Sequence, residues 1–421
     1  MAYFISDAKE FDLSHKRRWL KSGLLLFLLA SLLGTGMRYF FVREIPLVEY
    51  KHLLHAHSHV AMLGWLFTAV SGALIFLVIQ KTRYLKAYWW VWILNIIASV
   101  GMAVFFTYEG YGPFSIAFST LHLAAAYLFA VVFLKDLKRR SNNSVHRFSR
   151  WAVIWMLLST LGLWAIAPVA SFLGSHHPAY YASVQFFLHF QFNGWFTFAI
   201  LALLFNHFEK TGERIEVGNG LFWILQLSLL LTYALSITWS TPETFLFYLN
   251  SAGVILQLAV FIPIIQKLVR AFRKSTDKIG LTGWLLLVGL ISLFLKVLAQ
   301  TAVAVPAVAE ISYTIRNFVI GFIHLTLLGS ITMSLMALLQ DRGLIPVRRS
   351  AFIGSILLML AFVSTEIILF GQGLLLWMRY GFVRFYYEII LGATIIFPIS
   401  IGLIAIGKNK SPVHSISNTN R

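Results

Sequence analysis

His59-VAML-Gly64, His189-FQFN-Gly194 and His324-LTLL-Gly329 are three copies of one pattern, in which a glycine follows a histidine after four residues. The histidines lie at nearly equal intervals, and each interval holds four apolar segments. Recurrence at a long, regular interval is typical of an internal structural repeat. The pattern predicts three units of four helices. The glycine, which has no side chain, leaves room for a neighbouring helix or a flat macrocycle to come close.

The composition is that of a membrane protein. Hydrophobic residues make up 59% of the 421 residues, charged residues only 12%, and the mean hydropathy is +0.78. Apolar runs of about 20 residues, long enough to cross a bilayer core of about 30 Å, recur along the chain. We predict an all-α polytopic membrane protein with twelve transmembrane helices, at 20–42, 52–80, 85–107, 113–134, 150–174, 179–206, 218–240, 244–266, 281–304, 312–339, 350–372 and 383–406.

The net charge of +18 is distributed as a topology signal. With the N-terminus in the cytoplasm, 27 of the 34 Lys and Arg residues fall in or beside cytoplasmic segments, as the positive-inside rule requires. We therefore predict a multi-pass protein of a bacterial-type inner membrane with both termini in the cytoplasm. Its main partner is the lipid bilayer, and no nucleic acid is expected. The predicted parts are a cytoplasmic segment at 1–19, a membrane domain at 20–406 and a polar cytoplasmic tail at 407–421.

Cysteine is absent from the chain. This excludes disulfides, iron–sulfur clusters, thiolate-ligated haem and covalently attached c-type haem. A redox metal would have to be held by histidine, methionine, carboxylate or backbone groups. The chain contains thirteen histidines, so imidazole is the expected ligand.

Several costly side chains are predicted at one depth in the membrane. Counted from the outer end of each helix at 1.5 Å per residue, His59, His122, His189 and His324 lie roughly 12–18 Å deep. Lys296, Glu366 and Arg38 reach a similar layer from other helices. An imidazole inside hydrocarbon is expensive, so its recurrence on every fourth helix indicates a shared ligand, either haem or a metal.

The densest group of histidines opens the second segment, Lys51-HLLHAHSH-Val60. At 100° per residue, His52, His55 and His59 share one helix face, whereas His57 points about 160° away from His59. The four cannot all bind one ion from a regular helix. A haem needs one axial imidazole from each of two helices, which fits this supply better than a tetrahedral metal site does.

The segment His57-Ser-His59-VAML-Gly64-Trp65 resembles a His-x-His-x4-Gly-Trp stretch of haem-copper oxidase catalytic subunits, especially the C-family oxidases and the nitric oxide reductases. It is also similar to the His-Ala-His segment of NnrS-type membrane proteins. The resemblance implies twelve helices in three pseudo-symmetric arcs of four. It also implies that the second, sixth and tenth helices occupy equivalent places. These are the helices that carry the repeat.

This resemblance implies a non-covalent haem, of b-type or another type, between His59 and His324, and a copper or other metal ligand at His189. Arg316 is expected to bind a haem propionate, because arginine binds carboxylates with two hydrogen bonds. His122, His55 and His57 remain open as further metal ligands. The family's pattern is incomplete here. The seventh segment has no histidine, and Phe322 stands where the ligand of the second haem is expected.

Two functions remain open from the sequence. The first is a haem protein of electron transfer, respiratory redox chemistry or nitric oxide handling, supplied with electrons by a quinol or a cytochrome. Whether it is an enzyme, a divergent oxidoreductase, is left open. The second is a twelve-helix proton-coupled transporter, in which Glu366, Lys296 and His189 form a proton relay. Lys296 and Glu366 are candidates for an ion pair in either case.

Overall fold

The computed structural model describes residues 8–46, 48–138, 143–275 and 280–406. Twelve of its helices are long and apolar enough to cross a membrane, and they confirm the twelve predicted segments. We number them α1 to α12: Leu13–Tyr39, Tyr50–Ile79, Leu85–Glu109, Pro113–Leu137, Ser144–Leu173, Pro178–Lys210, Asn219–Ile237, Thr244–Lys274, Leu281–Ala302, Arg316–Asp341, Arg349–Trp377 and Tyr386–Ala405. The chain is an all-α, multi-pass membrane protein.

Polar residues extend several helices beyond their apolar segments. The first helix begins at Leu13 rather than at residue 20, because the carboxylate of Asp12 accepts the backbone N–H of Ser14 and caps it. The fifth begins at Ser144 rather than at 150, where the Asn143 side chain accepts the N–H of His146. Hydropathy therefore marks the apolar part of each helix, and the cap marks its start. The predicted tail at 407–421 lies outside the described residues.

Two small elements complete the described part of the chain. Strands of two residues, Lys9–Glu10 and Lys81–Thr82, pair in antiparallel fashion and attach the segment before α1 to the connection between α2 and α3. A separate short helix, Pro306–Thr314, precedes α10.

Three helices form the centre of the bundle, and they are the ones that carry the sequence repeat. In the most apolar window of α2, 100% of the residues are buried, and the values for α6 and α10 are 83% and 72%. The other nine helices reach at most 50%, as expected for helices with one face towards lipid. The C-terminal halves of α2, α6 and α10 contact one another. A central helix thus occurs at every fourth position, as the repeat predicted.

The nine other helices form a ring around this centre. Consecutive ring helices pack on each other, and α1 packs on α12 to close the ring. The ring contact between α5 and α7 is made by Trp151 against Phe222 and by the Trp155 indole, which donates to Gln226 at 2.7 Å. Buried polar side chains lie between the central helices and the ring helices.

Large aromatic side chains hold the centre to the ring. Trp65 is fully buried, stacks on Phe27 of α1 with ring centroids 4.7 Å apart, and donates its indole N–H to Thr332 of α10 at 3.2 Å. Trp195 is also fully buried and packs on Phe129 of α4. The indole rings of Trp65 and Trp195 therefore pack against side chains of neighbouring helices.

Candidate functional site

Each of the three repeated histidines is the last α-helical residue before a π-helical stretch. The stretches are Val60–Leu66, Phe190–Phe196 and Leu325–Met333. A π-turn holds an extra residue and is found mostly at functional sites. The wide turn leaves some backbone carbonyl groups without their usual N–H partner, and hydroxyl groups bond them instead. Thr197 donates to the carbonyl of Phe192, and Thr332 donates to the carbonyl of Leu327, in each case five residues back. The sequence repeat thus has a structural counterpart that hydropathy does not reveal.

The repeated glycines bring ring helices close to the centre. A methyl group at Gly64 would lie 3.2 Å from Oγ of Ser99 on α3, and one at Gly194 would lie 2.7 Å from Cβ of Trp155 on α5. The third glycine repeats this arrangement with side chains of α9 and α11. Of the two interpretations that the sequence allowed, close helix packing accounts for all three glycines.

His57 lies between α2 and α1 and is held in one orientation. Its Nδ1 donates to the carbonyl oxygen of Ala30 at 2.8 Å, which leaves the lone pair of Nε2 on the opposite edge of the ring. A metal-bound histidine usually carries this kind of second hydrogen bond. The ring fits because Gly34 has no side chain: a Cβ there would be 2.8 Å from Cε1 of His57.

His324 on α10 lies within electrostatic reach of Arg38 and His57. Its Nδ1 is buried and has no hydrogen-bond partner among the described residues. Such a nitrogen is costly to bury. His324 is therefore a ring with one polar atom that the described protein does not satisfy.

His59 turns towards α3, where its ring stacks on Phe106 with centroids 4.1 Å apart, and its Nδ1 donates to the carbonyl of His55 at 2.8 Å. The two α2 histidines point to opposite sides of the helix, as the sequence indicated, with His57 against α1 and His59 against α3. The predicted pair His59–His324 stays a prediction, and the electrostatic effect of His57 on His324 makes His57 a second candidate partner for His324.

A cationic cluster lies near the N-terminal ends of α2, α10 and α12 and the C-terminal end of α1. Arg316 donates to the Tyr50 hydroxyl at 2.9 Å and lies over its ring, and Asn317 donates to the Tyr386 hydroxyl at 2.7 Å. Arg38, one turn along α1 from the glycine that contacts His57, interacts electrostatically with both tyrosines and with Arg316. Among the described residues these two guanidinium groups have no carboxylate partner, and sequence reasoning missed the two tyrosines beside them.

His189 is occupied by contacts between helices. Its Nε2 donates to the carbonyl of Leu229 on α7 at 2.9 Å, and its Nδ1 accepts from Ser236 at 3.3 Å and Asn193 at 3.4 Å. A metal at either nitrogen would have to displace one of these partners. Both ring nitrogens of His189 are therefore engaged. Its role as a copper ligand stays a prediction.

The two remaining candidate metal ligands, His122 and His55, have different partners. His122 donates from Nδ1 to Asn95 at 2.7 Å and borders a small cavity between α2, α4, α5 and α6. His55 packs against Tyr111, and its buried Nε2 has no partner among the described residues. In the described ranges, no three His, Asp or Glu side chains are placed to hold a metal ion. The residues present therefore do not fit a copper centre.

Lys296 and Glu366 do not form the ion pair considered from the sequence. The ammonium of Lys296 contacts the hydroxyl of Thr197 at 3.4 Å, and both carboxyl oxygens of Glu366 are buried without a hydrogen-bond partner in the described part of the chain. Glu366 lies on α11, between the phenyl rings of Phe362 and Phe370 that contact α10.

Comparison with known proteins identifies the fold. No model of a protein family matches the chain, and no curated protein matches it. A solved structure, described as a cryo-EM structure of a heme-copper terminal oxidase dimer that provides insights into its catalytic mechanism, matches with a TM-score of 0.64 and 10% sequence identity. The match covers 92% of this chain and 82% of that one. The chain therefore has the fold of a haem-copper terminal oxidase.

Proposed function

We propose that this chain is a haem-binding membrane protein in which His57 and His324 hold one non-covalent haem between α2 and α10. The observation that carries the proposal is the state of these two imidazoles. His57 has Nδ1 fixed by a backbone carbonyl and a free Nε2, and His324 has a buried nitrogen without a partner in the described structure and lies within electrostatic reach of His57.

A flat group between α2 and α10 would need room only between their N-terminal halves. The C-terminal halves of the two helices pack on each other, with the indole of Trp65 bonded to Thr332, whereas the N-terminal halves that carry the two histidines have fewer direct contacts. Arg38 and Arg316 would bind the haem propionates, because guanidinium groups bind carboxylates strongly in a partly dry site.

Electron transfer is the function that this ligand set favours. When bound, a haem with two axial imidazoles supplies reversible one-electron chemistry, and it has no open position for a gas. The protein's part is to hold the His57 ring through Ala30, to set the reduction potential through the two arginines and to keep the site dry. We place this activity in respiratory redox chemistry or nitric oxide handling, with a quinol or cytochrome as donor.

The visible spectrum of the purified protein tests this proposal. Dithionite-reduced protein is expected to have a Soret band and sharp α and β bands, which His57→Ala and His324→Ala lose. His59→Ala is the matched control, since it removes an imidazole two residues away on the opposite face of α2. If His59→Ala loses the bands and His57→Ala keeps them, the assigned ligand pair is refuted.

A proton-coupled transporter is the second candidate, favoured by one observation. Lys296 and Glu366 are buried ionisable groups without a counter-ion among the described residues, as intramembrane proton carriers often are. The arrangement of three central helices in a ring of nine does not resemble two inverted halves of six. A colourless, normally folded protein that moves protons in vesicles, and fails to do so as Glu366→Gln, would support this candidate against the first.

A further inference from the structure

We propose that a cavity between α6, α7, α8 and α9 binds a small inorganic monoanion through the ammonium group of Lys296. The cavity has room for one or two water molecules. Its polar lining consists of hydroxyl and amide side chains and one amine: Asn193, Thr197, Ser228, Thr232, Gln257, Gln300 and Lys296. His57 and His324 lie on α2 and α10 and do not line this cavity, so the proposal does not depend on haem.

Lys296 carries a charge that the cavity does not balance. Its side chain is 1% exposed, and its single hydrogen bond in the described structure is the long contact of 3.4 Å to Thr197. No aspartate or glutamate lines the cavity. An ammonium group has three donors, and burying it without a partner is very costly. Lys296 acts electrostatically on His189, but an imidazole cannot supply the negative charge that would balance the ammonium group.

The other polar groups of the lining are already engaged. Ser228 donates to the carbonyl of Gly253 at 2.8 Å, and Thr197 and Thr232 donate to carbonyls of their own helices. The amides form a chain in which Gln257 donates to Gln300 at 2.8 Å and Gln300 donates to Asn193 at 3.3 Å. The lysine is therefore the group with donors to spare, and they are directed at the space that an acceptor would occupy.

Size and charge limit the ligand to a small anion. The space open to the centre of a water-sized sphere is about 20 Å³, enough for one or two such spheres, so the cavity holds an ion of halide size with at most one water molecule. A water molecule there would also donate to Oε1 of Gln257, which is buried without a donor in the described structure. Halides meet these conditions.

Bromide is a suitable probe, measured by isothermal titration calorimetry on the full-length protein in detergent, in a gluconate buffer. We expect saturable 1:1 binding to the wild type. Lys296→Met, which keeps the length of the side chain and removes its charge, should abolish it. Lys267→Met, which removes an exposed lysine of α8, should leave the dissociation constant unchanged, as should the haem-ligand variant His57→Ala.

A second variant keeps the test decisive if Lys296→Met fails to fold. Gln300→Glu places a carboxylate one turn from Lys296 in the same cavity, so an internal ion pair should replace the anion. We expect its bromide dissociation constant to rise at least tenfold while its unfolding temperature in gluconate does not fall. Absence of saturable bromide binding to the wild type would overturn the proposal, as would wild-type affinity in either cavity variant. The lysine would then be neutral and hydrated.

Discussion

Gly34→Ala should weaken haem binding without touching either ligand. The added Cβ would lie 2.8 Å from Cε1 and 3.0 Å from Nδ1 of His57. Carbon atoms pack best at about 3.5 Å or more, so the ring must move by roughly 0.7 Å. That displacement lengthens the hydrogen bond to Ala30 and takes Nε2 out of line with a haem iron.

The size of the effect follows from overpacking. Forcing an extra methyl group into a packed site costs about 1–3 kcal/mol, which corresponds to a rise of roughly 5- to 150-fold in the haem dissociation constant. Gly36→Ala is the matched control, because it lies two residues away on α1 and its nearest neighbour atom, on Leu53, is 4.0 Å from the new methyl. Both variants gain about 1 kcal/mol of helix propensity, which cancels in the comparison.

Haem transfer to apomyoglobin, followed in the Soret band, measures the difference between the two variants. We expect Gly34→Ala to release haem faster than Gly36→Ala and to have a lower α band per polypeptide as purified. Equal release from the two variants would refute the assignment of His57 as a ligand held by the Ala30 carbonyl, since the ring would then not feel the added methyl group.

Three further outcomes are expected. Arg38→Gln should lower the haem reduction potential by roughly tens of millivolts in a redox titration, because a nearby cation favours the reduced form. Arg379→Gln, in the loop between α11 and α12, should leave the potential unchanged. His189→Ala should lower stability by about 1–3 kcal/mol in thermal unfolding and keep the haem bands, since it leaves the Leu229 carbonyl and Asn193 without their partner. Because of Glu216, the protein should become less stable in acid. Burial raises the pKa of the Glu216 carboxyl, but the hydrogen bonds from Ser144 and Arg214 outweigh burial and lower this pKa below its ordinary value. The stabilisation by Glu216 is therefore present above the pKa that this carboxyl has in the unfolded chain, and it is lost as the pH falls through the lower pKa of the folded state. In Glu216→Gln, the unfolding temperature should fall less steeply with decreasing pH. An unchanged dependence on acid pH would contradict this.

The twelve helices and the special place of α2, α6 and α10 could be predicted because they depend on signals within each segment. Apolar length determines whether a segment spans the membrane, and the histidine repeat marks the three helices that meet at the centre. The position of a helix start was missed where a polar cap, such as Asp12, extends the helix beyond its apolar part.

The candidate site was predicted only in part, because it depends on which helix face meets which neighbour. The 160° between His57 and His59 could be read from their spacing, but not which neighbouring helix each of them meets. The contact between Gly34 and the His57 ring joins α1 to α2 and has no signature in either sequence segment. For the same reason the common predicted depth of Lys296 and Glu366 did not show that they are unpaired in the described structure.

The π-turn after His59 gives α2 one residue more than an unbroken α-helix of the same path would need. Deleting a single residue within 60–66 would therefore remove the wide turn and leave the two flanking α-helical parts facing as they do now. The same deletion in a regular α-helix would turn one end by about 100° relative to the other. The wide turn thus lets α2 tolerate a change of one residue in length without changing the histidine face that it presents to its neighbours.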